Sequence, residues 1–590
     1  MFKLNCKRSI RIFYKAHYGS EAQPNSRPIR PLSPREATTI IKALCGRGAT
    51  ALARKVFDEM PHRDVVAWTA MISGYASNGL HDEAWATLRR MAGSGAAPNA
   101  FTLSALLAAC RGPGRRRARA AAHASAVRRG LGAAPYVANA LLDAYASCGD
   151  GAVGDARRLF DEMAERTAVT WTVMIAGYAR WGRADVALEM FRRMVLQDSV
   201  EPSPFAYSIA ISTCGSIRHP TLGRQLHAAS VKHDLISNTP LSNSLIDMYC
   251  KCTKIRHAKL LFNTMRRKDV ITWNTMIAGL DRHSPHEALQ LFLEMRVQNM
   301  RPNCFTFTSV ASSCASLAVL RCGRQVHCAV LRSGFGNNLQ VCNALIDMYA
   351  KCGSVDESKK VFDEMSRRDL LSWTSMMIGY GNNGYGYEAI RLFDEMVNVG
   401  IQLDHVVFLG LISACSHSGL VEEGWEYFNL MKTEYHVEPN LEVYGCAVDL
   451  LGRAGRIEEA FDLIQRMPFE PGESIWGALL GACKMHKNVI LGKLAAKKIM
   501  ELKPRGATTY VLLSNIYAAE REWGEFAKAR KALRGTSDKK EAGMSRIEVS
   551  DKLCSFVAGD NTSYYVGLCS DVLDSLARHM DENSQLEFIS

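Results

Sequence analysis

Apolar residues in this chain fall three and four apart in short bursts that break and restart at regular intervals. From Asp64 onward, Met71, Ile72, Tyr75 and Ala76 fall at helical spacing, and a break follows at SNGL from Ser77. Glu83, Ala84, Trp85, Leu88 and Met91 then begin a second amphipathic stretch that ends at Gly95 and Pro98. Such spacing puts one face of each helix against a neighbour, and Gly and Pro at the joints supply stops and starts. Each pair predicts a helix hairpin that cannot bury its apolar face alone, so successive hairpins must stack.

The pattern returns along the chain in altered copies: DVVAWTAMISGYASNGLHDEAWATLRRM from Asp64, AVTWTVMIAGYARWGRADVALEMFRRM from Ala168, VITWNTMIAGL from Val270 and LLSWTSMMIGYGNNGYGYEAIRLFDEM from Leu370. Between them recur FTFTSVASSCASLAVLRCGRQVHCAVLRSG, typified from Phe305, and NALIDMYAKCGSVDESKKVFDEM, from Asn343. A unit of about 35 residues repeated this often predicts an all-α fold, a right-handed superhelical solenoid of helix-turn-helix repeats. The units read as 34–64, 65–99, 100–134, 135–167, 168–203, 204–238, 239–269, 270–303, 304–338, 339–369, 370–404, 405–440 and 441–472. A ligand for such a stack should be as long and periodic as the stack itself.

Hydrophobic content of 47% is enough for a core running the length of the array. The net charge of +13 and isoelectric point near 8.9 favour a polyanionic partner, most simply nucleic acid. Arg111 to Gly130, RGPGRRRARAAAHASAVRRG, is the most basic and most divergent stretch, either an RNA-facing helix or the solvated face of a decayed repeat. Of eighteen cysteines, Cys110, Cys214, Cys314 and Cys415 share one place in the repeat and Cys148, Cys252 and Cys352 another. Such recurrence reads as small buried hydrophobes in a reducing compartment. The sequence holds no CxxC pair for a zinc ribbon or redox site and no apolar run long enough to predict a membrane-spanning helix. The first twenty residues carry Lys3, Lys7, Arg8, Arg11 and Lys15 among apolar residues and no acid, so 1–33 reads as an organellar transit peptide. Lysine and arginine dominate over serine there, favouring mitochondrion, with chloroplast as the alternative. A disordered basic arm is the competing reading.

WNTMIAGL, NALIDMYAKCG, GRQVH, VDLLGRAGRIEEA, IWGALLGAC and YVLLSNIYAA are similar to pentatricopeptide repeat proteins of land-plant organelles. The alternation of standard, long and short units resembles their PLS class, which places the repeat array at 34–472. Residues 473–505 and 506–539 resemble the family's two E motifs. The segment 540–590 resembles the E-plus extension, with Ala542, Met544 and Arg546 standing where the family's usual Pro, Cys and Trp would be. The chain is expected to lack the DYW deaminase domain of longer relatives. A zinc deaminase needs H-x-E followed by P-C-x-x-C. His81–Glu83 and His436–Glu438 match the first half only and sit at repeat joints. His227 and His327, both in GRQ[LV]H, read as packing or capping residues. No phosphate loop or nucleophile elbow occurs, so no catalysis, metal or cofactor is expected.

Helical repeats read single-stranded RNA at one base per unit through two or three side chains. The resemblance assigns these to the fifth residue of each first helix and the last residue of the unit. Carried over, Thr38 with Asp64 implies G, Thr69 with Asn99 implies A, and Asn139 with Thr167 a pyrimidine. Thr172 with Ser203 implies a purine, Asn243 with Asp269 U, and Asn274 with Asn303 C or U. Asn343 with Asp369 implies U, and Thr374 with Asp404 G. The long units carry Ser104, Ser208, Thr308 and Leu409 at the fifth position. Helix capping is the competing account of Asn343 and Thr374, because Ser, Thr and Asn are common caps.

The resemblance implies a sequence-specific binder of single-stranded organellar RNA that recognises sites for C-to-U editing. Its implied partners are a DYW-type deaminase protein acting in trans and multiple organellar RNA editing factors, with no membrane. RNA stabilisation, splicing or translation control without editing is one alternative, and a protein-only helical scaffold another.

Overall fold

The computed structural model describes residues 33–534 apart from 113–114, 133, 197–199, 503–506 and 520, together with two strands near the C-terminus and the isolated positions 572 and 575. The expected transit peptide lies outside the described residues except for Ser33.

Thirty α-helices, each 9 to 14 residues long, run between Pro34 and Arg534 among the described residues. They alternate as first and second helices of hairpins, as the periodicity predicts. None is long and apolar enough to cross a membrane. The first helices begin one residue after each unit end read from the sequence. Asp64, Asn99, Thr167, Ser203, Asn303, Asp369 and Asp404 all stand at the N-cap and accept a backbone N–H with their side chains. A capped N-terminus satisfies backbone donors that the helix itself leaves unpaired.

The described residues form two compact parts, divided between Met276 and Ile277. Within each, first helices pack on their own second helices and on the first helix of the next unit, as Leu370–Asn382 packs on Gly386–Asn398 and on His405–Ser418. Contacts are therefore local, and the core is a strip, not a centre. In the first part it gathers Ile41, Phe57, Trp68, Met71, Leu103 and Leu141 among others. In the second, a cluster includes Val448, Leu451, Ile475, Leu479 and Ile499.

Two side-chain devices recur at the joints. Where a short unit meets the next standard unit, a Phe meets a Trp edge-on: Phe57–Trp68, Phe160–Trp171, Phe262–Trp273 and Phe362–Trp373, with centroids 4.8–5.0 Å apart. A cation lies over the same Phe ring: Arg63, Arg166, Lys268 or Arg368. The arginines also donate to carbonyls ending the second helix, Arg368 to Phe362 and Asp363 at 2.9 Å each. Where a long unit meets a short one, the ring nitrogen Nδ1 of His123, His227 or His327 lies 2.8–3.0 Å from the hydroxyl of Tyr145, Tyr249 or Tyr349. His227 and His327 are thus packing residues.

The recurring cysteines are free and buried at Cys110, Cys214, Cys314 and Cys415. Burial pushes the Cys110 thiol up to about 11 and those of Cys214 and Cys415 to about 12, so they are inert small hydrophobes. One element departs from the all-helical expectation. Met544–Val549 and Lys552–Val557 pair as antiparallel strands, from Met544 opposite Val557 to Val549 opposite Lys552.

Candidate nucleic-acid interface

The eight fifth-position residues singled out in the sequence are each the fifth helical residue of a first helix. They are helix-interior residues, and the caps are the last residues of the units. The capping account therefore belongs to the other member of each pair, Asp369 and Asp404 instead of Asn343 and Thr374. Thr38, Thr172 and Thr374 are buried, as are Asn243 and Asn343, whereas Thr69, Asn139 and Asn274 are half-buried. Asp64, Asn99, Thr167 and Asp269 are exposed, and Ser203, Asn303, Asp369 and Asp404 are half-buried.

The fold brings several pairs together. Asn343 Nδ2 donates to Asp369 Oδ1 at 3.2 Å, and Asn243 Nδ2 to Asp269 Oδ1 at 3.4 Å. Two further pairs are bridged by a hydroxyl. Thr102 Oγ1 lies 2.7 Å from Thr69 Oγ1 and donates to Asn99 Oδ1 at 3.0 Å. Thr170 Oγ1 donates to Asn139 Oδ1 at 2.9 Å and lies 3.0 Å from Thr167 Oγ1. Thr38 and Asp64, Thr172 and Ser203, and Thr374 and Asp404 have no hydrogen bond between them. Their threonine hydroxyls donate to a carbonyl one turn back, at 2.6–3.0 Å. Asn303 caps the helix Cys304–Leu317 through Thr306 N at 3.1 Å, and Asn274 is the fifth residue of Val270–Asp281.

The last residues are held from behind. The ring-stacked cation of each short-to-standard joint immediately precedes one of them: Arg63 before Asp64, Arg166 before Thr167, Lys268 before Asp269 and Arg368 before Asp369. Burial draws the carboxyls of Asp269 and Asp369 upward. Hydrogen bonds from Thr272 or Ser372 and from Asn243 or Asn343 outweigh it and hold both below the usual carboxylate range. Both are carboxylates at neutral pH, acceptor-only groups.

One set of residues on this face escaped the sequence reading. The second helical residue of most first helices is a large apolar side chain left exposed: Val66, Phe101, Tyr136, Val169, Phe205, Ile271, Phe305 and Leu371 among them, with Phe205 at 66% and Phe305 at 61%. Second and fifth helical residues, three apart, lie on one helix face. Every such helix opens with one more apolar residue than its buried face requires, as in VVAW, PFAY, VITW, CFTF and LLSW. That surplus was the available signal. Phe101 and Tyr136, from neighbouring first helices, sit with ring centroids 5.6 Å apart. The most basic stretch lies elsewhere: Arg116–Arg128 is a second helix, with Arg116, Arg117 and Arg128 exposed and Arg119 buried beside Tyr145 and Cys148. Its exposed arginines stand outside the row of first helices.

The chain matches the PPR repeat over residues 37–65, 169–198, 242–270, 341–370, 371–401 and 442–470. It matches the PPR repeat family over 63–111 and 268–316, the pentatricopeptide repeat domain over 391–453, and the E motif over 486–548. The putative pentatricopeptide repeat-containing protein At1g56570 of Arabidopsis thaliana is 47% identical over 526 residues, covering 89% of this chain and 86% of the relative. The chloroplastic At3g49170 of the same plant is 38% identical over 90% of this chain, which spans only 63% of that relative's length. The mitochondrial At4g19191 is 35% identical over 86% of this chain and 78% of its own. Among solved structures, the pentatricopeptide repeat protein PPR10 in complex with an 18-nt psaJ RNA element superposes with a TM-score of 0.54 at 19% identity, covering 86% of this chain and 85% of that one. With repeats matched along the array and a relative this similar over most of both chains, the chain belongs to the pentatricopeptide repeat family.

Proposed function

We propose that this protein binds single-stranded RNA in a sequence-specific way and recognises sites of C-to-U editing in an organelle. The observation that carries the RNA reading is the junction of fifth and last residues. Polar pairs of varying identity, Asn with Asp directly or Thr with Asn through a bridging hydroxyl, meet at several unit boundaries beside exposed apolar side chains. An unpaired base needs both a flat apolar surface to lie on and donors or acceptors for its edge. PPR10, which shares the fold, was solved holding RNA. The bases implied by each pair are those read from the sequence.

The editing role is supported by the E-motif match at 486–548. In this reading the repeats select the RNA, and residues from 473 onward recruit a DYW-type deaminase in trans, with multiple organellar RNA editing factors on the array. Relatives named as chloroplastic and as mitochondrial support an organellar address. The basic N-terminal segment favours the mitochondrion.

Two experiments test the reading. Selection from randomised single-stranded RNA should enrich sequences compatible with the pairs, and affinity should fall steeply with salt as phosphate contacts are lost. Deleting residues 473–590 should leave this binding intact while abolishing editing of one organellar cytidine in a complemented loss-of-function plant. A truncated protein that still supports editing refutes the recruitment role, and a protein indifferent to RNA sequence refutes the whole proposal.

A further inference from the structure

Eleven fifth-position residues in this chain fall into two groups with different needs. Four are asparagines: Asn139, Asn243, Asn274 and Asn343. Seven are hydroxyl residues: Thr38, Thr69, Ser104, Thr172, Ser208, Thr308 and Thr374. A hydroxyl residue provides for itself, because its O–H reaches the carbonyl one turn back. Ser104, Ser208 and Thr308 do so at 2.8–2.9 Å, as do the threonines already described. An asparagine carbonyl in the same seam has no such recourse, and a buried acceptor without a donor is costly.

The third residue of the following first helix divides along the same line. After each of the four asparagines it is Thr or Ser: Thr170, Thr272, Thr306 and Ser372 in turn. After the seven hydroxyl residues it is Ala, Val or Leu except once, at Thr102 behind Thr69. The geometry explains the match. Ser372 Oγ lies 2.7 Å from Asn343 Oδ1 and 2.8 Å from Asp369 Oδ1, so its one proton is shared between these two acceptors, and Thr170 Oγ1 donates to Asn139 Oδ1 at 2.9 Å. With its oxygen so engaged, Asn343 turns its amide nitrogen to Asp369, and the second N–H of that nitrogen remains to be used. Asn243 is the exception that shows the requirement: Thr272 Oγ1 donates to Asp269 at 2.8 Å instead, and Asn243 Oδ1 is buried without a partner, in a side chain only 7% exposed.

We propose that the third residue of the following first helix is a positioning residue for base selection. Its hydroxyl holds the asparagine carbonyl, so that the donor end of the amide faces the base and the acceptor end does not. This rests on the reading of the fifth residues as base contacts. Without the hydroxyl only the bond to the last residue orients the amide, the turned-over form that exchanges donor for acceptor costs less, and the unit accepts more bases. Ser372 thereby acts on the RNA through Asn343 and need not touch it.

The test uses the full-length protein with RNAs recovered from a randomised single-stranded pool, each varied only at the nucleotide assigned to Asn343. In Ser372→Ala, preference for the best base over the others should fall about tenfold, within the range one base contact supplies, while preferences at other nucleotides stay. Ser372→Thr, which keeps the hydroxyl, should retain the preference. The native protein should also discriminate less at the nucleotide assigned to Asn243 than at that of Asn343. Equal loss of affinity for every RNA in Ser372→Ala, with ratios unchanged, would mean the serine serves only its helix N-terminus and overturns the inference. Asn343→Thr separates the two levels: if it changes the base preferred and Ser372→Ala does not, base reading stands and this inference falls. If the native protein shows no preference at that nucleotide, both fall.

Discussion

Asn343 and Asp369 lie 26 residues apart and are joined by a hydrogen bond of 3.2 Å from amide to carboxylate. Asp369 also accepts the Ser372 backbone N–H at 2.9 Å, so one oxygen, Oδ1, serves the fifth residue of its own unit and the helix N-terminus of the next. Asp369→Asn keeps an N-cap acceptor of nearly equal quality but replaces the carboxylate with an amide. Thermal stability should change by less than about 1 kcal/mol. Preference at that nucleotide should move from U toward C by about 1–3 kcal/mol in competition binding. Unchanged preference would remove Asp369 from base selection.

Thr374→Asn carries the expectation of a shift from purine to pyrimidine, but the structure adds a condition. The third residue of the next first helix is Val407, fully buried and unable to donate. The single variant should lose about 1–3 kcal/mol of stability through an orphaned carbonyl and discriminate poorly. Adding Val407→Thr, of similar shape, should recover both, as read by denaturant titration and competition binding. Failure of the double variant to improve on the single one counts against the pairing of these positions.

Phe305, 61% exposed, packs little in the free protein and has no other evident task. Phe305→Ala should leave the melting temperature unchanged and weaken RNA binding by about 1–3 kcal/mol, the usual worth of a base stacked on an aromatic ring. Because every base has a face, the loss should be similar for all four nucleotides at that place.

Gly381, in the helix Leu370–Asn382, lies against the backbone of the next first helix. A Cβ there would collide with Cα and Cβ of Ala414. Gly381→Ala should cost about 1–3 kcal/mol by forcing the two helices apart, measured by urea unfolding. The change in RNA binding should be confined to the units on either side.

Burial holds His227 below the usual histidine range, helped by the nearby His257 charge, and burial holds His327 there against the opposing pull of Glu364. For a depressed folded pKa, the stability contributed by the neutral ring is present above the unfolded value of about 6.5 and is lost as pH falls through the folded one. Acidification below neutrality should therefore weaken the long-to-short joints. Replacing both histidines with Phe should flatten that part of the stability–pH curve.

Much of this architecture was legible because its signals are local. Unit ends at Asp64, Asn99, Thr167, Ser203, Asn303, Asp369 and Asp404 are N-cap residues, and capping needs only the next three residues to be recognised. The role of Ser372 was hidden because it concerns a side chain 29 residues earlier, across a boundary between units. The exposed Phe205 and Phe305 were hidden by their apolar nature, since a periodicity reading assigns such residues to the core. Capping was attached to Asn343 and Thr374 from their nearness to a helix start, but only the structure shows them a full turn inside. The strands at 544–549 and 552–557 lie in the stretch that resembles the E-plus extension, and that likeness carries no secondary-structure signal of its own.

The arginine or lysine that precedes Asp64, Thr167, Asp269 and Asp369 and lies on a phenylalanine ring restrains the spot where neighbouring units meet. That spot also begins a helix, so a short side chain able to accept a backbone proton is favoured there. The vocabulary open to natural variation is thus small before any nucleic acid is considered. A lineage can exchange Asp, Asn, Ser and Thr at such a place without endangering the fold, and so can drift to a new target in single steps. Other replacements forfeit the cap at about 0.5–2 kcal/mol, a loss the array bears at Ala134, which ends its unit without a side-chain cap.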